Sequence, residues 1–157
     1  MTDPLQISRI LVPVDGSDCS RHAAELAMRL AHAYGAELIL LHAVDAQVVE
    51  ELAQRETDDG QHIRDRLLEN GRIYLRDIAR VAEERGLAYR ERVEEGDPCA
   101  VICEAAASAG ADLIVMGKIG RRGARRILMG SITRRVIEST DRLVLIVSGP
   151  PPRRSPA

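Results

Sequence analysis

Glycines near the C-terminus fall in the order Gly117-x2-Gly120-x9-Gly130-Ser131. They follow an apolar run, Asp112-Leu113-Ile114-Val115-Met116, and precede a short amphipathic segment that opens at Ser131. Glycines after a strand let the backbone approach a ligand closely and aim amides at it. A Gly-Ser pair then delivers a helix N-terminus, with partial positive charge and free N–H groups. Two basic pairs, Arg121-Arg122 and Arg125-Arg126, lie inside the loop. Two of these four arginines are expected to be solvated surface. Glycines, Gly-Ser and arginines together point to a phosphate cradle and away from a bare surface turn. The loop lacks the Gly-Lys-Ser/Thr ending of a Walker A motif. It also lacks Gly-x-Gly-x-x-Gly after a first strand, so it is no dinucleotide fingerprint.

Such a loop needs a scaffold, and the chain alternates strand and helix signals. The first strand, Ile10 to Val14, runs into Asp15-Gly16-Ser17, where Ser17 is a candidate N-cap. A helix follows with Ala23, Leu26, Ala27, Leu30, Ala31 and Tyr34 on one stripe, closed by Gly35. The second strand is Glu37 to Val44. The polar stretch Asp45 to Gly60 reads as weakly structured. A second helix spans Gln61 to about Arg85, and a third strand, polar enough for a sheet edge, spans Leu87 to Val93. Asp97 and Pro98 suit the N-cap and first position of a third helix, Cys99 to Ala109. The fourth strand is Leu113 to Met116. The fourth helix is Ser131 to Ser139, with Ser131 as its N-cap, and the last strand is Leu143 to Val147.

This order predicts one α/β domain, a parallel sheet with helices on both faces. In such sheets ligands sit at the carboxyl ends of the strands, at the topological switch point. Asp15, Ala43-Val44 and Met116-Gly117 all fall at carboxyl ends. The domain is expected over residues 1–148, with a disordered Pro/Arg tail at 149–157.

Composition narrows the function. The chain has 157 residues and a net charge of −2, with no global attraction to nucleic acid or anionic membrane. Aromatics are 2% of residues, too few for a base-stacking platform. No apolar run is long enough for a membrane span and no signal peptide is evident, so a cytoplasmic location is expected. The three cysteines, Cys19, Cys99 and Cys103, form no Cys-x-x-Cys, and no metal-ligand spacing appears. Cys99 and Cys103 are one helical turn apart, and free cysteines of this kind are expected to be small buried hydrophobes. His42 is expected to be a satisfied interior histidine. No base–nucleophile pair or carboxylate cluster for two metals stands out.

Taken together, these residues resemble the universal stress protein family. The first strand running into Asp15-Gly16-Ser17 is similar to that family's opening. Gly117, Gly120, Gly130 and Ser131 are similar to the Gly-x2-Gly-x9-Gly-Ser/Thr pattern of its ATP-binding members. Leu40-Leu41-His42-Ala43-Val44 is similar to its second strand. The resemblance covers residues 8–148. It departs at Lys118-Ile119 and at Ser139 to Leu143.

The resemblance implies a three-layer sandwich with a five-stranded parallel sheet in the order 3-2-1-4-5. It implies a homodimer through Leu143–Val147 and an unknown protein partner. It also implies binding of ATP, or of ADP or AMP, with Mg2+ carried by the nucleotide. The implied nucleotide residues are Pro13, Val14, Asp15, Ala43, Met116, Gly117, Gly120, Arg121, Gly130, Ser131 and Ile132. Val14, Asp15 and Ala43 would flank adenine and ribose, with Met116 against the base or sugar. Gly117, Gly120, Gly130, Ser131 and Ile132 would face the phosphates. The resemblance leaves turnover open, with binding favoured over catalysis. The alternative is a nucleotide-free dimeric adaptor of the same fold, and a slow ATPase is favoured less.

Overall fold

The computed structural model describes residues 4–56, 59–120 and 128–150. Its elements run β1 (Arg9–Pro13), α1 (Asp18–Tyr34), β2 (Glu37–Asp45), α2 (Ala46–Glu56) and α3 (Gly60–Glu84). They continue with β3 (Tyr89–Gly96), α4 (Pro98–Ala109), β4 (Leu113–Gly117), α5 (Ser131–Ser139) and β5 (Leu143–Val147). The strands form one sheet in the order β3-β2-β1-β4-β5, and every neighbouring pair is parallel.

Side-chain alternation divides the apolar strand residues between two faces. Ile10, Val12, Leu38, Leu40, Leu113 and Val115 pack with α1 and α3. Leu11, Ile39, Leu41, Ile114 and Met116 pack with α4 and α5. Both faces are covered, which is why the strands read as continuous apolar runs. Alanines line the inner faces of the helices: Ala23, Ala24, Ala27 and Ala31 on α1, and Ala105 and Ala106 on α4. These small side chains bring the helices close to the bulky strand residues.

The local stops follow from backbone chemistry. Ser17 caps α1 by accepting from the Ser20 amide, and Gly35 ends the helix at φ 66° in the left-handed region. Asp97 caps α4 by accepting from the Ala100 amide, with Pro98 in the first helical position.

Three expectations need correction. Residues 46–56 form α2 where weak structure was expected. The reason is a short apolar stripe, Val49, Leu52 and Ala53, which docks with Val44 and with Ile63 and Leu67 of α3. Asp45 starts this helix by accepting from the Gln47 amide at 3.0 Å. Strand β3 lies two or three residues beyond its expected position, because its register on β2 extends to Asp45↔Gly96. Finally, Gly130 holds the N-cap position of α5, and Ser131 is the first helical residue.

Candidate functional site

The two central strands are clipped at one end and open at the other. At the start, Asp112 Oδ2 accepts from the amides of Ser8 at 2.8 Å and Arg9 at 3.0 Å. The β1–β4 register covers Ile10↔Leu113 and Leu11↔Ile114, while β1 stays with β2 as far as Pro13↔Leu41. Beyond Leu11, then, β1 parts from β4. The sheet opens a cleft of about 1140 Å³ at the carboxyl ends of the strands.

Pro13, Val14, Asp15, Ala43, Met116, Gly117, Gly120, Gly130, Ser131 and Ile132 all line this cleft. Arg121 and the other loop arginines lie outside the described residues.

One wall is built on the turn after β1. Asp15 Oδ1 accepts from the Ser17 amide at 2.9 Å, and Gly16 turns the chain at φ 81°. The face of Gly16 is covered by the Tyr74 ring; a Cβ there would come within 2.9 Å of it. Tyr74 meets the His42 ring edge-on, with centroids 5.5 Å apart. His42 Nδ1 pairs with the Val14 carbonyl at 2.6 Å. His42 is therefore a satisfied histidine that ties β2 to the end of β1. Gly71 makes room for it, since a Cβ there would lie 2.4 Å from His42 Cδ2.

The opposite wall is the glycine loop. The chain leaves β4 at Lys118 and returns at Gly130, whose amide donates to the Lys118 carbonyl at 2.8 Å. The buried Thr133 hydroxyl donates to the Gly117 carbonyl at 2.9 Å. These two bonds fix the first turn of α5 over the end of β4. Among the described residues no side chain caps α5, and its first residues, Ser131 and Ile132, face the cleft.

The three motif glycines have different physical reasons. At Gly117 a Cβ would strike helix α1, 2.8 Å from Cys19 Cβ and 3.0 Å from the Cys19 carbonyl carbon. At Gly120 it would stand 2.7 Å from Asp15 Oδ2. At Gly130 it would meet Ile119 Cα and the Lys118 carbonyl oxygen at 3.4 Å, ordinary contact distances. A Cβ would therefore force α1 to shift at 117, would displace the Asp15 carboxylate at 120, and at 130 has room among the described residues. That room lies on the cleft wall.

Sequence reasoning missed much of the rim. Asp97 and Arg135 line the mouth and form a two-pronged ion pair, both contacts 2.9 Å. The Arg135 guanidinium holds the Asp97 carboxyl below the usual carboxylate range, helped by the Ala100 amide. Gln47, Val48 and Leu52 of α2 and Leu67, Asn70 and Tyr74 of α3 extend the cleft on the other side. Asp97 reads locally as a helix cap alone, and the apolar stripe Val49, Leu52 and Ala53 is the sequence signal for the part of the rim that α2 supplies. Among the described residues there is no cluster of three or more His, Cys, Asp or Glu that would hold a metal. Among the same residues no helix is long and apolar enough to cross a membrane.

Comparison with known proteins gives a consistent set of matches. A family model described as the universal stress protein family matches residues 6–148. Universal stress protein MJ0531 of Methanocaldococcus jannaschii is 37% identical over 142 residues, covering 90% of this chain and 82% of that protein. The solved structure of MJ0577, from the same organism, superposes with a TM-score of 0.82 at 25% identity, covering 96% of this chain and all of that one. A universal stress protein solved in complex with cAMP superposes at 0.62 with 28% identity, over 92% of this chain and 98% of its own.

Proposed function

The chain belongs to the universal stress protein family, and we propose that it is an adenine-nucleotide-binding member that acts as a regulatory module in a stress response. The observation that carries this reading is the convergence of ten residues, from the ends of β1, β2 and β4 and the start of α5, on one cleft at the sheet's switch point. The similar protein solved with cAMP supports the adenine part of the reading.

In this reading the base and ribose lie between Val14, Asp15 and Ala43, beside Pro13, with Met116 against them. The phosphates face Gly120, Gly130, Ser131 and Ile132, where the α5 amides and the helix dipole favour anions. Gly117 acts through packing against α1, keeping β4 and the loop in place. The preferred ligand is ATP, with ADP and AMP as smaller occupants and Mg2+ carried by the nucleotide. Arg121 would add a counter-charge from the loop.

The cleft has room for such a ligand, since small-molecule sites commonly measure roughly 300–1000 Å³. We read the module as cytoplasmic, spanning 1–148, homodimeric through Leu143–Val147, and binding with at most slow hydrolysis. Its downstream partner is a protein of unknown identity.

Two assays test the reading. Protein purified without added nucleotide is heat-denatured, and the supernatant is analysed for adenine nucleotide. Stoichiometric nucleotide supports it. A nucleotide-free protein that also fails to bind added ATP leaves the adaptor role. Multiple turnovers per second with Mg-ATP would make the protein an enzyme.

A further inference from the structure

We propose that Cys99 and Cys103 form a two-sulfur site for a small soft thiophile that completes its bonding with two sulfurs, such as a trivalent organo-arsenical or a monovalent coinage-metal ion. The site does not rest on the nucleotide reading.

The two cysteines sit one turn apart on α4. Cys99 is buried at 4% exposure and Cys103 is half-buried against the same apolar cluster. Cys99 Sγ also approaches Ser139 Oγ of α5 at 3.8 Å, so a second helix holds it. Burial, with Cys99 beside it, pushes the Cys103 thiol up to about 11.

Helix geometry separates the possible chemistries. Residues four apart on a helix have Cβ atoms about 5–6 Å apart. A disulfide requires about 3.8 Å, so oxidation to a disulfide would unwind the first turn of α4. An inserted atom with bonds of about 2.3 Å to each sulfur spans the gap with the helix intact. Four-coordinate ions such as Zn2+ lack partners, since no third metal-ligating group joins the pair among the described residues. Cys19 lies on α1, against the opposite face of the sheet.

Protonation favours the same class. At neutral pH the Cys103 thiol is protonated and slow towards ordinary oxidants. An arsenic(III) oxide, R–As=O, exchanges with two thiols to give R–As(SR′)2 and water. Two As–S bonds form, both thiol protons leave on the departing oxygen, and arsenic stays trivalent. The product is neutral, which suits a partly buried site. A monovalent metal ion would instead displace thiol protons into solution.

The test uses the full chain carrying Cys19→Ser, titrated with phenylarsine oxide and followed by native mass spectrometry. The expected result is one adduct per chain, loss of two titratable thiols together, and resistance to excess monothiol. Cys99→Ala and Cys103→Ala should each weaken the adduct by at least about a hundredfold through loss of the chelate. Cys103→Ala/Glu104→Cys keeps two thiols but moves one to an exposed position off the shared face, and it should behave like the single variants. Circular dichroism confirms folding in each case. A parallel silver titration, read by proton release, separates metal ions from arsenicals as occupants. No adduct, or an equally tight one in the single-cysteine or displaced variants, would overturn the proposal.

Discussion

A Cβ placed on Gly120 would stand 2.7 Å from Oδ2 of Asp15. The turn after β1 and the loop after β4 therefore touch across the cleft, although more than a hundred residues separate them in sequence. Asp15 is held on its other oxygen by the Ser17 amide at 2.9 Å, so it cannot retreat without giving up that bond. Gly120→Ala should displace the carboxylate and weaken adenine-nucleotide binding about tenfold or more. Stability should change by only about 0.5 kcal/mol, as is usual away from the core. Titration calorimetry with ATP checks the affinity, and unchanged binding would count against Asp15 as a ligand residue.

Gly117 gives the opposite pattern. Its missing Cβ leaves space for the backbone and Cβ of Cys19 on α1, and backbone cannot rotate aside. Gly117→Ala should cost about 1–3 kcal/mol by overpacking. Urea denaturation would show this as a lower midpoint with an unchanged slope.

These contrasts mark what the sequence could and could not convey. The two-faced core was legible because near-continuous apolar runs at Ile10–Val14, Leu38–Leu41 and Leu113–Met116 must be covered on both faces of a sheet, whereas the strand order was implied only by the family resemblance. The caps at Ser17 and Asp97 were legible because their chemistry is local. Helix α2 was missed because its stripe, Val49, Leu52 and Ala53, is short and set among charged residues; it becomes stable only by docking on Ile63 and Leu67. The Ser131 cap was misassigned by one residue, since Gly130 takes the extended cap conformation at φ −64°, ψ 150°. The Asp97–Arg135 pair joins positions 38 residues apart, and no local pattern announces it.

That pair has a pH signature. The Asp97 carboxyl is held low chiefly by its hydrogen bonds from Arg135 and then by the Ala100 amide. Its folded-state pKa lies below its unfolded value of about 3.9. The stabilisation is therefore fully present above the unfolded value and is lost as pH falls through it towards the folded one. Arg135→Gln should raise the Asp97 pKa, as read from carboxyl carbon shifts by NMR. The stability difference between wild type and variant should be larger at pH 7 than at pH 2.5. An equal difference at both pH values would show that the pair contributes nothing electrostatic.

Strand β5 borders the sheet and carries Leu143 at 51% and Leu145 at 36% exposure. An apolar edge of this kind invites pairing with a second copy. Wild type should sediment as a dimer at micromolar concentration, and Leu145→Lys should sediment as a folded monomer. A monomeric wild type, or a dimer indifferent to the lysine, would remove β5 as the interface.

The central claim is that nucleotide phosphates lie against Gly130 at the start of α5, and Gly130→Val tests it most directly. A Cβ at this position meets the nearest described atoms, the Lys118–Gly120 backbone, at 3.4–3.6 Å. The variant's side chain would stand where the phosphates approach. Calorimetric titration of Mg-ATP into nucleotide-stripped wild type and Gly130→Val, with circular dichroism on both, should show binding by wild type. The variant should lose at least about a hundredfold in affinity, about 2.8 kcal/mol. Equal affinity in two folded proteins would contradict the account.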